Sequence, residues 1–166
     1  SRMLNIPHDA GGLLHLLVQA VRPKRVLEVG TSNGYSGIWL ASALQAVGGR
    51  LTTIEHDSAK VNLARANFRR ANVADVVDIQ IGDASRVLRK LEGSFDLVFF
   101  DATKSDQLDN LKLVWDRISP GSLIVSDNTL THVQELVSYT AYVRSHPQMD
   151  SLLVPIGNGF EMTLKA

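Results

Sequence analysis

Short apolar runs alternate with helical segments five times along this chain, and that alternation limits the fold more than any single motif does. The runs are residues 25–29, 51–55, 76–81, 95–100 and 123–126, and the fourth holds four consecutive apolar residues, Leu97 to Phe100. A strand of that kind is covered on both faces. Helical spacing marks the segments between them. Leu13, Leu14, Leu17 and Val21 share a face of residues 8–21; Ile38, Leu40, Ala41 and Leu44 do so in residues 35–47, which stop at Gly48-Gly49. Asp57 is placed to cap a third helix carrying Val61, Ala64, Phe68 and Ala71. A short helix with Val87 and Leu91 follows Gly82-Asp83. The next, with Leu108, Leu111, Trp115 and Ile118, should end at Pro120-Gly121, and the last should start near Thr131 and stop before Pro147. Residues 152–164 then read as two strands around Gly157-Asn158-Gly159, a hairpin signal. The expected fold is α/β: a mostly parallel seven-stranded sheet with a C-terminal antiparallel hairpin and helices on both faces.

Composition narrows the class of function. The 166 residues fit one domain, 1–166, and 17 basic residues balance 17 acidic ones, so no general nucleic-acid-binding surface is expected. With no cysteine there is no disulfide framework and no thiolate chemistry. No apolar run reaches membrane-spanning length, no secretory signal precedes the first helix, and a cytoplasmic location is the default expectation.

Chemistry-bearing residues fall at strand ends. The fourth strand runs directly into Asp101, with Lys104 in the loop beyond, and ligands of open α/β sheets bind outside the carboxyl ends of strands. The first strand leads into Gly30-Thr31-Ser32-Asn33-Gly34, a turn whose glycines let backbone N–H groups approach a ligand. A dinucleotide fingerprint would place glycines at 30, 32 and 35; Ser32 and Tyr35 stand there instead, which lowers a nicotinamide-dependent reading. Glu28, just before the turn, opposes a pyrophosphate and suits a ligand with an ammonium or hydroxyl groups. Glu55, ending the second strand, meets the expectation of a ribose-binding acid. Asp83, ending the third, suits an exocyclic amine or an ordinary helix cap.

Together, Glu28-Val-Gly30-Thr-Ser-Asn-Gly34-Tyr35-Ser36, Glu55, Gly82-Asp83-Ala84, Asp101-Ala-Thr-Lys104 and Asp127-Asn128-Thr-Leu130 resemble the class I S-adenosylmethionine-dependent methyltransferases. Within that Rossmann-like class the chain is similar to the metal-dependent O-methyltransferases of the catechol and caffeoyl-CoA type, from about Met3 to the C-terminus. The resemblance implies that Glu28, Gly30, Thr31 and Ser36 surround the methionine part of S-adenosylmethionine, that Glu55 holds the ribose, and that Asp83 and Ala84 meet the adenine. Ser32, Tyr35, His56 and Asp101 complete the implied cofactor set. It makes Asp101, Asp127 and Asn128 the metal ligands and Lys104 the general base or substrate-positioning cation. Two carboxylates and an amide carbonyl suit Mg²⁺, with Mn²⁺ or Ca²⁺ as substitutes. The implied acceptor is a small hydroxylated aromatic molecule with adjacent hydroxyls.

The chain departs from that family in four ways. Members of that family carry extra N-terminal helices, whereas this sequence begins just before the first core helix. Thr103 stands where plant members carry an acid, and Thr131 where many members carry a tryptophan. The loop after Asp127-Asn128 is short, and His132 opens the helix after it. An acceptor site completed by a second subunit of a homodimer, transfer to another acceptor without metal, and a non-catalytic cofactor-binding module are the alternatives that the sequence leaves open.

Overall fold

A computed structural model describes residues 6–166. Seven strands form one sheet: β1 (Arg25–Val29), β2 (Arg50–Glu55), β3 (Val77–Ile81), β4 (Phe95–Phe100), β5 (Ile118–Ser126), β6 (Met149–Val154) and β7 (Phe160–Lys165). Their order is β3-β2-β1-β4-β5-β7-β6. The first five are parallel neighbours, and β7 enters antiparallel between β5 and β6. Among the described residues six α-helices accompany them: α1 (His8–Val21), α2 (Tyr35–Val47), α3 (Ser58–Arg70), α4 (Ala84–Lys90), α5 (Gln107–Val114) and α6 (Val137–Ser145).

The alternation of side chains along each strand divides the core in two. Val26, Leu97, Phe99 and Val125 pack with Leu14, Leu40, Leu44 and Phe68, from α1, α2 and α3. Leu27, Val98, Phe100 and Ile124 point the other way, to Leu88, Leu111, Tyr139 and Val143, from α4, α5 and α6. Central strands buried on both faces explain the unbroken apolar run in β4. The strand order reverses between β1 and β4, which opens a crevice at their carboxyl ends. No helix among the described residues is long and apolar enough to cross a membrane.

Two elements differ from the sequence expectation. The helix carrying Leu108 and Leu111 ends at Val114; a 3-10 turn, Trp115–Arg117, follows, and Ile118 already belongs to β5. Pro120 and Gly121 lie inside that strand rather than before it. The β4–β5 register jumps from Phe95↔Ile118 to Leu97↔Leu123, so residues 119–122 bulge out of the ladder. A bulge tolerates proline's missing N–H, and Gly121 takes the positive φ of 85° there. The second difference follows β5. Residues 129–136 form successive turns, and α6 begins only at Val137. Two of their backbone donors reach the β6–β7 turn, Thr129 N–H to Gly159 O (3.1 Å) and Leu130 N–H to Asn158 O (2.9 Å), while His132 N–H donates to Asn128 O (2.8 Å) and Leu136 N–H to His132 O (3.1 Å). The start of the loop is therefore held to the β6–β7 turn.

Candidate active site

Strand register assembles the site. Val29 lies beside Phe100, and Phe100 beside Ser126, so the residues after β1, β4 and β5 emerge together. Asp101 N–H donates to Val29 O (2.9 Å) and Asp127 N–H to Phe100 O (3.1 Å), which extends the parallel ladder one step past the strands. The two carboxylates therefore leave adjacent strands at the same level. Between them and the β1–β2 loops lies a cavity of about 370 Å³.

The turn after β1 depends on its first glycine. Gly30 has φ 105°, and a Cβ there would lie 2.7 Å from the Asp101 carbonyl. Only glycine lets this turn pack on the loop after β4. The N–H groups of Gly30 and Thr31 both donate to Ile54 O at 3.0 Å. Ser32 N–H donates to Glu55 Oε1 (2.8 Å) and Asp57 N–H to Glu55 Oε2 (3.1 Å), fixing the Glu55 carboxylate from both sides. Asp57 also caps α3, accepting from Ala59 and Lys60 N–H.

Gly30, Ser32, Glu55, His56, Ala84, Asp101, Lys104, Asp127 and Asn128 all line the cavity. Five other residues that the sequence singled out do not. Glu28 is fully buried in β1: Ser36 Oγ donates to its Oε2 (2.5 Å) and Thr53 Oγ1 to its Oε1 (2.7 Å), and the Thr31 and Thr53 hydroxyls lie 2.6 Å apart. Glu28, Thr31 and Ser36 thus brace the turn from behind. Burial pushes the Glu28 carboxyl up to about 8, against the pull of the Ser36 and Thr53 hydroxyls. Tyr35 opens α2 and is exposed. Asp83 is an exposed N-cap, accepting from Ser85 Oγ (2.5 Å) and Arg86 N–H (3.3 Å). Those bonds, the Ser85 hydroxyl first, hold its carboxyl below the usual range. Capping accounts for Asp83, and its neighbours Gly82 and Ala84 reach the cavity instead.

At the other end Lys104 Nζ donates to Asp101 Oδ1 at 3.3 Å, and the Asp101 side chain keeps 23% of its surface exposed. Burial pushes its carboxyl up to about 6; Lys104 opposes that rise and the Asp127 charge adds to it. Asp127 is also raised, by burial first, while the Asn128 N–H bond to its Oδ1 (2.7 Å), Lys104 and His132 hold it down. Asn128 adopts the left-handed φ of 65°. Its Nδ2 donates to Thr131 Oγ1 (3.3 Å), which leaves the carbonyl oxygen as the amide's remaining donor to a cation. Among the described residues no three Asp, Glu, His or Cys side chains cluster as metal ligands. The oxygens that could hold an ion here are those of two carboxylates and one amide carbonyl, hard donors that would suit Mg²⁺ keeping several waters.

A buried bond braces this end. Gln107, at the start of α5, donates from Nε2 to Ser126 Oγ (2.5 Å), tying the Lys104 segment to the residue before Asp127. Sequence reasoning gave Gln107 no role. It also missed Ile6, Lys60 and Asn158, which line the cavity from α1's approach, α3 and the β6–β7 turn. None carries a local signal, because long-range pairing brings each one there. His132, which the sequence did mark, also lines the cavity, with Nδ1 3.0 Å from Thr131 Oγ1.

A sheet of this order, with a reversed last strand and a cavity over the ends of β1, β2, β4 and β5, defines the class I methyltransferase architecture. The O-methyltransferase family profile matches residues 1–165, and the chain belongs to that family, among the S-adenosylmethionine-dependent enzymes related to the catechol and caffeoyl-CoA O-methyltransferases. A catechol O-methyltransferase of Niastella koreensis is 37% identical over 76% of this chain and 59% of its own. One from Mycobacterium tuberculosis is 40% identical over 72% of this chain and 54% of its own. The chain therefore spans little more than half the length of these two relatives. The crystal structure of the O-methyltransferase TomG from Streptomyces achromogenes, in complex with SAM, superposes with a TM-score of 0.84 at 30% identity, covering 97% of this chain and 82% of that one.

Proposed function

We propose that this protein transfers a methyl group from S-adenosylmethionine to a hydroxyl of a small acceptor bearing adjacent hydroxyls, with a divalent metal, Mg²⁺ by preference, at Asp101, Asp127 and Asn128. The observation that carries this reading is the meeting of Asp101 and Asp127 at the ends of paired strands, with Lys104 bonded to Asp101, in the cavity whose far end holds Glu55. The related catechol O-methyltransferases and the SAM complex of TomG support it.

Each residue then has a task. Glu55, fixed by two backbone N–H groups, accepts from the ribose hydroxyls. The Gly30–Ser32 turn holds the methionine part against backbone. A divalent cation, when bound, supplies Lewis-acid stabilisation to an acceptor oxyanion, and S-adenosylmethionine supplies the electrophilic methyl. Lys104 sits beside Asp101, where its ammonium orients the reacting hydroxyl and neutralises the charge left on the oxygen when the proton passes to water. Gln107 and Ser126 keep the two carboxylates in register, so that oxygen and methyl are held in line.

The test is methyl transfer to a panel of catechols, with and without EDTA. The expected outcome is turnover that chelation removes and added Mg²⁺ restores. Turnover insensitive to chelation contradicts the metal's part, and cofactor binding with no transfer to any diol contradicts the reaction.

A further inference from the structure

The β6–β7 turn reaches the same cavity from the side away from Glu55. Its strand β7 pairs with β5, Ser126 facing Glu161, so the turn lies about one strand spacing, roughly 5 Å, beyond Asp127. Counting outward from β2, the cavity passes Glu55, the β1 turn, Asp101, Asp127 and last Asn158. With the cofactor over the first of these, Asn158 stands on the acceptor's side.

That turn is wedged in place. Gly157 packs on α1 and its approach, where a Cβ would lie 3.0 Å from the Ala10 Cβ and 3.2 Å from the Pro7 Cγ. Gly159 packs on the loop after Asn128, where a Cβ would lie 2.6 Å from the Leu130 Cγ. Asn158 O accepts from Leu130 N–H (2.9 Å), and Gly159 N–H donates to Ile156 O (2.8 Å). The carbonyl of Asn158 is thus committed, while its half-buried side-chain amide makes no hydrogen bond to another described residue. A turn needing only a polar tip would not have to place that amide on the cavity wall.

The rest of the acceptor-side wall points the same way. No Phe, Tyr or Trp ring lines the cavity among the described residues, and Thr103, His132 and Asn158 form that side with Ile6 as its apolar member. The one ring on that side is the His132 imidazole, and Thr103 and Asn158 offer hydrogen bonds. His132 Nδ1 is already engaged with Thr131, and Lys104 with Asp101. Resting on the function proposed above, we propose that Asn158 is a specificity-determining residue, its amide hydrogen-bonding an uncharged polar substituent of the acceptor beside the two hydroxyls. An amide both donates and accepts, which suits a carboxamide or hydroxyl substituent better than an ionised one.

Two probes of similar shape test this: 3,4-dihydroxybenzamide and 4-isopropylcatechol. Their binding is measured by titration calorimetry with S-adenosylhomocysteine and Mg²⁺ present, and their methylation as kcat/KM. The wild-type protein should favour the amide by about five- to tenfold, the worth of one satisfied hydrogen bond. In Asn158→Leu that preference should fall to within about twofold of unity, with the thermal midpoint retained. Asn158→Ala serves if the leucine variant does not fold. An unchanged preference in a folded variant overturns the inference, as does an equal loss for both probes, which would make Asn158 a structural turn residue only. Wild-type binding with the expected preference but no methyl transfer overturns the proposed reaction and leaves Asn158's role standing. No binding of either probe overturns the inference itself.

Discussion

The two ends of the cavity are built by different means. At the Glu55 end, backbone holds the site: N–H groups of Ser32 and Asp57 fix the carboxylate, and Gly30 presses directly on the Asp101 peptide. Behind it, Glu28, Ser36, Thr53 and Thr31 form a closed hydroxyl–carboxyl network. At the Asp127 end, side chains hold the site. Asp101 leans on Lys104 and Asn128 on Thr131. Backbone scaffolding binds a part of the ligand that does not vary, whereas side-chain walls can change with the acceptor at little cost to the fold. Substitutions at the first end should therefore damage stability and binding together. Those at the second should damage chemistry and leave stability nearly intact.

The largest effect on folding should come from Gly30→Ala. The positive φ and the backbone overlap together should cost about 2–4 kcal/mol, read by chemical denaturation, and cofactor affinity should fall with them. Asp127→Ala is the counterpart at the other end. Its methyl-transfer rate should drop by about a hundredfold or more, since metal-assisted charge stabilisation is worth several kcal/mol. Its stability should hold or rise, because a charge that repels Asp101 is gone. A large loss of stability in that variant would break the contrast between the two ends.

Glu28 gives the comparison a pH signature. Its folded carboxyl titrates at about 8, above the 4.5 expected when unfolded, so between these values the folded chain holds a proton that the unfolded chain has lost. Glu28 should therefore make stability fall as pH rises through that window, by on the order of a few kcal/mol, and level off above it. Glu28→Gln should remove that slope in urea denaturation from pH 5 to 9, and the variant should gain on the wild type as pH rises. The smallest effect is expected at Asp57→Ala, which removes the α3 cap away from the cavity. About 1 kcal/mol of stability should go, with methyl transfer retained.

Much of this arrangement could be read from the sequence, and the unread part has a common cause. Strand β4, the Gly30 turn, the Asp57 cap and the Asp101 and Asp127 strand ends are local patterns, and the structure places all of them as read. The last helix is present, but Val133 and Leu136 share its spacing and so place its start near Thr131, whereas α6 begins at Val137. The bonds from Thr129 and Leu130 to the β6–β7 turn cross nearly thirty residues and leave no local trace. Pro120-Gly121 looked like a helix stop because a bulge inside a strand uses the same residues. Glu28 and Asp83 show the limit for single residues. Each is an acid at or near a strand end, yet one braces the core and the other caps α4, and only burial and partners distinguish them. Asn158 was legible as a turn and not as a wall.

The most direct test is a crystal structure with S-adenosylmethionine or its demethylated product and Mn²⁺, whose anomalous signal locates the ion. The account predicts one ion with oxygens of Asp101, Asp127 and Asn128 all within about 2.5 Å, and the ribose at Glu55. A cofactor in place with the ion bound elsewhere, or with no ion at these three residues, would contradict it.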